Sequence, residues 1–269
     1  MKTMKKIWCL IVERIPQNGA WNMAVDDFMF RSLGDKPATF LRFYQWEKPT
    51  VSLGYSQHAG KAVDLEFCRK NGIDIVRRMT GGKMVLHHQE VTYCICSSDV
   101  GIFSPTLVQS YRAISEALMR GLMRMGIRCT LAGETPSFYA RGSLPCFSHP
   151  ARNEIEVDGK KIVGSAQKRT KDRFIQHGSI PLIKNEGLLK AVSQIDRFQS
   201  TVRMTSLSEL RGEEVSFSDV VDHLAAGIAE YFGVSYRRKA FSPKEMDAIT
   251  KIREERYANP EWSFIRGGG

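Results

Sequence analysis

The feature that most constrains this chain is local: Asp158-Gly159 stands between two β-prone runs, Asn153–Val157 and Lys161–Lys168. An Asp-Gly pair tolerates the positive φ angles of a two-residue turn, so the flanking runs are expected to pair as an antiparallel hairpin. That turn puts Glu156 opposite Lys161 on one face. The plain reading is a cross-strand ion pair of about a few tenths of a kcal/mol. A lysine serving a site there would have to be desolvated, or have its head turned away from Glu156. The second strand then carries Gly164-Ser165-Ala166. Three small residues weaken a strand and mark a bulge or a close approach, either by a ligand or by packed backbone.

Around the hairpin, short β-like runs mix with amphipathic stretches and show no βαβ regularity. Strands are expected at Ile7–Val12, Phe40–Tyr44, Thr50–Gly54, Ile73–Val76, Met84–Leu86, Val91–Ser97, Arg128–Leu131 and Phe174–Leu182. Helices are expected over Asn22–Leu33 and Leu65–Lys70. Ser104-Pro105 reads as the start of a third helix, with Leu107, Tyr111, Ile114, Leu118, Leu122 and Met125 on one face and Gly126 as its stop. Thr135–His149 reads as a loop. After about Ile183 the character turns helical, with stretches at Asp219–Phe232 and Pro243–Arg256. The fold class is therefore α+β: mixed, largely antiparallel sheets flanked by helices. A single catalytic domain is expected over residues 1–269, with 184–269 a mainly helical extension.

The length of 269 residues suffices for a large core, and 42% hydrophobic with 25% charged residues excludes long disorder or a fibrous repeat. The net charge of +10 favours acidic partners without choosing among nucleic acid, anionic membrane and acidic protein. No aromatic-basic surface motif supports nucleic acid. The apolar run behind Met1–Lys6 spans only Ile7–Val12, so it reads as a strand and not as a secretion signal. With the 6 cysteines scattered and no stretch long enough to span a membrane, a reduced, cytoplasmic protein is expected.

Three places could carry chemistry. Arg77-Arg78-Met79-Thr80-Gly81-Gly82-Lys83 runs from a strand through two cations into paired glycines. It reads either as a backbone cradle for an anion or carbonyl oxygen, or as a plain turn with solvated arginines. It is no P-loop, because neither Ser/Thr nor a helix follows the Gly–Lys. Cys146 lies in a proline-bounded loop, Leu144-Pro145-Cys146-Phe147, where a thiol can be partly exposed and a nearby cation would favour its reactive thiolate. His149 is a weak candidate base beside it. Cys9, Cys68, Cys94, Cys96 and Cys129 read as small core residues. Cys94-x-Cys96 with His87-His88 lacks the second ligand pair of a zinc site. His177 and His223 read as hydrogen-bonded structural histidines.

In order along the chain, Arg77-Arg78-Met79-Thr80-Gly81-Gly82 with His87, Asn153-Glu154-Ile155 with Gly159 to Gln167, and Gln176-His177-Gly178-Ser179 resemble the lipoate/octanoate branch of the biotin–lipoate protein ligase and transferase superfamily. Phe40–Tyr44 to Gly54-Tyr55 is similar to that family's opening hairpin, and Tyr257 to Trp262 to its C-terminal tail. The likeness spans nearly the whole chain. It implies an acyltransferase with Cys146 and Lys161 as catalytic residues. It also implies substrate contacts from Arg78, Thr80, Gly81, Gly82, His87, Gly164, Ser165, Ala166, Gln167, His177 and Gly178.

The Pro145-Cys146-Phe147 loop resembles the octanoyltransferase type of Gram-positive bacteria. The resemblance then implies an octanoyl group carried from acyl carrier protein, through a cysteine thioester, to a lysine of a lipoyl domain or glycine-cleavage H-like protein. No cofactor is implied. Ala151-Arg152-Asn153 departs toward the ligases, which would need ATP and magnesium; a lipoyl amidotransferase is the third possibility.

Overall fold

A computed structural model describes residues 5–103, 106–135, 145–193 and 202–265. Its strands are β1 (Ile7–Val12), β2 (Thr39–Tyr44), β3 (Thr50–Leu53), β4 (Asp74–Arg77), β5 (Val85–His87), β6 (Glu90–Ser97), β7 (Thr130–Leu131), β8 (Ile155–Val157), β9 (Lys160–Arg169), β10 (Phe174–Pro181) and β11 (Ser235–Arg238). The longer helices are α1 (Gly19–Ser32), α2 (Leu65–Lys70), α3 (Leu107–Arg124), α4 (Glu186–Ser193), α5 (Phe217–Phe232) and α6 (Pro243–Ile252).

Eight strands form one sheet in the order β11-β1-β2-β6-β10-β9-β8-β7, and β4-β3-β5 form a second. Only the β1–β11, β1–β2 and β3–β4 pairings are parallel. This is the mixed, largely antiparallel α+β architecture the sequence predicts.

Side-chain alternation along β6 explains how the large sheet is sandwiched. Tyr93 and Ile95 face a core shared with Ile114, Leu118, Leu224 and Ile228 of α3 and α5. Cys94 and Cys96 face the opposite core, with Met23, Val25 and Met29 of α1. Every residue of β6 and β10 is buried, because helices cover both faces. Cys94 and Cys96 thus act as small core residues, and burial pushes the Cys94 thiol well up.

The Asp-Gly hairpin forms as expected, with φ +49° at Asp158 and +72° at Gly159. Other boundaries shift with the local capping chemistry. The first helix begins earlier, because the Asn18 side chain accepts from the Trp21 N–H. Ser216 caps α5 in the same way. Thr106 caps α3; the expected start at Ser104-Pro105 lies outside the described residues, as does most of the Thr135–His149 loop. The part of that loop that is described ends in a tight turn, Cys146–Ser148.

The C-terminal part is not helical throughout. Its strand β11 pairs with β1, extending the sheet edge. Beyond α6 the chain widens into a π turn over Arg253–Tyr257. Among the described residues no helix is long and apolar enough to cross a membrane.

Candidate active site

The turn holding Cys146 is fastened to its neighbours on both sides. The Cys146 N–H donates to the Met84 carbonyl at 2.9 Å, and the Arg203 N–H donates to the Ser148 carbonyl. Lys161 is bracketed in turn: its N–H donates to Arg203 O, and its carbonyl accepts from the Thr205 N–H. These backbone bonds set two side chains against each other. Lys161 Nζ lies 3.1 Å from Cys146 Sγ and 2.8 Å from the Cys146 carbonyl. A third contact runs to Glu154 Oε2 at 2.6 Å. The three N–H bonds of one ammonium are thereby directed at three acceptors.

Two expectations need correcting here. Cys146 is not partly exposed; it retains only 7% of its accessible surface, because its turn packs into the core cluster with Phe147 and Met84. Glu156 does stand opposite Lys161 in register, but the ion pair goes to Glu154. A register irregularity between Ile155 and Glu156, after a left-handed Asn153 (φ +66°), tucks Glu154 under the strand. The lysine is both desolvated and turned from Glu156, as a lysine serving a site must be.

Burial opposes charge on Lys161. The nearby Cys146 sulfur and Glu154 carboxylate outweigh it and hold the amine above the ordinary lysine value. Burial pushes the Glu154 carboxyl up, with Lys161 pulling against that. The site therefore contains a fixed ammonium beside a thiol.

Cys146 borders a cavity of about 390 Å³, counted with its opening to solvent, while Lys161 stands behind the sulfur and does not line it. Cys146, Arg78, Gly82, His87, Gly164, Ser165, Ala166, His177 and Gly178 all line it. Thr80, Gly81 and Gln167 do not. The small residues are there because the walls are close. A Cβ on Gly164 would come within 3.0 Å of the Phe147 ring and 3.2 Å of Lys161 Cε. One on Gly178 would meet Ser165 Oγ and Tyr93 at 2.6 Å.

The paired arginines are not solvated. Arg77 is fully buried and donates to the carbonyls of Gly54, Tyr55, Gln57, Trp262 and Ser263. Arg78 donates to the carbonyls of Ser52, Gly81 and Lys83. They brace the glycine turn and the C-terminal tail from behind, leaving Gly81 and Gly82 exposed at the rim.

Each of the two histidines in the wall is hydrogen-bonded at both ring nitrogens. His177 Nδ1 bonds Asp26 at 2.8 Å, and its Nε2 bonds Thr80 Oγ1 at 2.7 Å. Burial keeps its pKa below the usual histidine value despite Asp26. The Asp26 carboxyl is held low against its burial by His177 and Arg42. His87 bonds Glu90 and Ser52 and stacks on Trp46 at 3.9 Å. Gln167 serves a separate chain running through Gln176 to Tyr93 and Ser165. His223 is remote, bonded within its own helix.

Sequence reasoning missed Glu154, Asp26 and Glu90 as the groups that set this site, and Lys83, which also lines the cavity. Glu154 stood inside a recognised motif, but nothing in its spacing from Lys161 singled it out over Glu156. Asp26 and Glu90 lie in a helix and a strand, where no local pattern marks them.

A family model described as the lipoyl protein ligase A/B catalytic domain matches residues 18–229. Among curated relatives, octanoyltransferase LipM of Kyrpidia tusciae is 38% identical, with 92% of this chain and 95% of the relative covered. LipM of Carboxydothermus hydrogenoformans is 35% identical over the same shares. Among solved structures, the lipoic acid-bound putative lipoate protein ligase Ta0514 of T. acidophilum superposes with TM-score 0.80 at 25% identity, covering 96% of this chain and 99% of that one. A lipoate-protein ligase A bound with ATP gives TM-score 0.80 at 26% identity, covering 96% and 98%.

Proposed function

The chain belongs to the lipoyl protein ligase A/B catalytic-domain family and is an acyltransferase, and from that premise we propose that it moves an octanoyl group from acyl carrier protein onto a lysine of a lipoyl domain or glycine-cleavage H-like protein, through a thioester on Cys146. The observation that carries this reading is the 3.1 Å contact between Cys146 Sγ and an ammonium whose charge Glu154 fixes. Relatives at 35–38% identity bear the name octanoyltransferase.

Cys146 attacks the carrier thioester as thiolate, and one thioester is exchanged for another at little net cost. The acceptor amine then attacks, and amide formation drives the transfer forward. On acylation the sulfur loses its charge. The Lys161 N–H that faced it then turns to the thioester carbonyl oxygen, where it stabilises the developing oxyanion. The acyl tail occupies the cavity, whose lining includes Met23, Tyr44 and Thr92. Burying the tail of an octanoyl group contributes roughly 5–6 kcal/mol at about 0.8 kcal/mol per carbon. The reaction so written needs no cofactor. The +10 charge suits acidic carrier proteins, whose encounters it would steer.

The test is intact mass after incubation with octanoyl-carrier protein. The protein should gain one octanoyl group that hydroxylamine removes, and Cys146→Ala should gain none. A ligase reading draws on the likeness to lipoate ligases. It requires modification that depends on lipoate and ATP and survives Cys146→Ala. That result, with no adduct on the wild type, refutes the transferase.

A further inference from the structure

Two hydrogen-bonded arrays of the same order flank the cavity. Each runs from a buried carboxylate through both nitrogens of a histidine to a hydroxyl: Asp26–His177–Thr80 and Glu90–His87–Ser52. They differ at both ends. The Asp26 charge is already met by the Arg42 guanidinium at 2.8 Å. Glu90 is bonded to His87 and to the hydroxyls of Thr92 and Ser179, and to no Lys or Arg among the described residues. Thr80 lies off the cavity, whereas Ser52 and His87 both line it together with Cys146. The backbone ties the second array to the sulfur's turn. The Cys146 N–H donates to the Met84 carbonyl at 2.9 Å, and the next residue, Val85, stands opposite Ser52 in the β3–β5 register.

The protons of this array can be placed. An ionised carboxylate only accepts, so His87 Nδ1 carries a proton toward Glu90, and Nε2 of the neutral ring accepts the Ser52 hydroxyl. Arg78 Nη1 donates to the same Ser52 oxygen at 3.1 Å, which leaves the Ser52 hydrogen for His87. A hydroxyl, an imidazole and a carboxylate in that order can draw a proton away from the cavity. The resulting imidazolium would lie between the Glu90 carboxylate and the face of Trp46, stacked on the ring at 3.9 Å. Both favour positive charge there.

Transfer to a lysine needs such a sink. The acceptor arrives as an ammonium, with no lone pair to attack with. Lys161 is unsuited to take its proton: it is held charged, and neutralising it would strand Glu154 as a buried, unpaired carboxylate. We propose that Ser52, His87 and Glu90 form a proton relay that neutralises the incoming lysine, Ser52 touching the ammonium and His87 taking the charge through it. This rests on the thioester reading above. Arg78 helps, because an ammonium approaching an oxygen that already holds a guanidinium sheds its proton more readily than in water.

The protons balance. The carrier leaves the acylation step as a thiolate and is protonated by water, so the relay takes no part in forming the octanoyl-enzyme. One acceptor proton then passes to Ser52 Oγ as the Ser52 proton passes to His87 Nε2. The freed amine attacks the acyl carbon, the C–S bond to Cys146 breaks with its electron pair going to Sγ, and the second nitrogen proton passes to that sulfur. His87 and the Cys146 thiol each return one proton to water. With one taken up by the carrier, a turnover releases one proton.

The experiment compares wild type, His87→Gln and Ser52→Ala, isolated as octanoyl-enzymes, in single-turnover reaction with a lipoyl domain and separately with hydroxylamine. Glutamine keeps a donor and an acceptor but cannot take a proton. Ser52→Ala keeps the imidazole and removes the hydroxyl. Hydroxylamine is already a neutral nucleophile around neutrality and needs no base. Both variants should transfer to the lipoyl domain about 10²–10⁴-fold more slowly than wild type, with rates that climb with pH as the free amine fraction grows. Both should react with hydroxylamine at the wild-type rate. Lipoyl-domain transfer at the wild-type rate, equal losses with both nucleophiles, or a loss confined to His87→Gln overturns the relay. Where His87→Gln fails to fold, Ser52→Ala alone decides. A wild type that forms no octanoyl-enzyme refutes the thioester reading itself, and this inference with it.

Discussion

Lys161→Met tests whether the ion pair at the centre of the site is as dry as it looks. Lys161 is fully buried and Glu154 is 6% exposed, with the pair 2.6 Å apart. Removing the amine leaves a buried carboxylate with the Ala151 N–H as a remaining donor. Breaking a buried pair in this way costs about 3–5 kcal/mol. At about 2–4 °C per kcal/mol for a chain of this class, the melting temperature should fall by about 6–20 °C. Glu154→Gln should cost less, because the ammonium keeps Cys146 Sγ and the Cys146 carbonyl. The double variant carries no buried charge and should recover much of the loss, giving a coupling above about 2 kcal/mol.

The pH dependence of the same variants has a definite sign. Without Lys161, the folded-state pKa of Glu154 lies above its unfolded value. The folded state then binds the extra proton, and stability falls as pH rises through that window. Urea unfolding at about pH 5 should therefore show a smaller Lys161→Met penalty than at about pH 8. In the wild type the lysine value is raised. Its contribution is thus intact below the ordinary lysine pKa and is lost only as pH climbs through the folded one. Additive losses in the double variant, or a penalty independent of pH, would refute a desolvated pair.

Two further outcomes follow from the packing. Gly178→Ala should cost more than Gly164→Ala, because its Cβ meets the Gly164 carbonyl at 2.8 Å as well as side chains, whereas Gly81→Ala, with nothing within 4 Å, should be near neutral; thermal melts of the three would rank them, with overpacking worth about 1–3 kcal/mol. Arg77→Lys cannot span carbonyls from both the Gly54–Gln57 turn and the Trp262–Ser263 tail, and each buried carbonyl left bare costs about 1–3 kcal/mol; hydrogen exchange should quicken in both segments together.

What could be read from the sequence follows interaction range. The Asp-Gly turn, the α3 stripe and the small residues of β9 are local patterns; the turn forms, and the stripe is buried at Ile114, Leu118, Leu122 and Met125 although Leu107 at its start is exposed. The strand Ser235–Arg238 was missed because it forms by pairing with β1, more than two hundred positions away. Arg77 and Arg78 invited a cation-cradle reading since sequence shows charge but not direction; burial turns both toward backbone carbonyls. Glu156 was the natural partner for Lys161 by register, and one irregularity beside it handed that role to Glu154. The resemblance singled out Cys146 and Lys161, whose side chains meet, but local pattern alone could not show that a proline-bounded loop would fold the sulfur inward.

A cavity proposed to take a hydrocarbon tail is expected to be apolar, yet this one is lined by Tyr44, His87, Thr92, His177 and Ser179. The hydrogen bonds resolve the conflict. Glu90 accepts from Ser179 and Thr92 and bonds His87, while Asp26 holds Tyr44 and His177. Their polar atoms are drawn back into the protein, so carbon and ring faces are left toward the cavity. Glu90→Gln cannot serve the same set, because one carbonyl oxygen and a donating NH₂ replace two acceptors. Thr92, Ser179 and His87 would then present unsatisfied groups or admit water into the cavity. A correctly fitted wall discriminates one methylene by about 10–200-fold. Competition between octanoyl-carrier protein and its shorter and longer homologues should show that discrimination reduced in Glu90→Gln, with an octanoyl-enzyme still formed. Unchanged chain-length preference would mean that Glu90 does not set the shape of the wall.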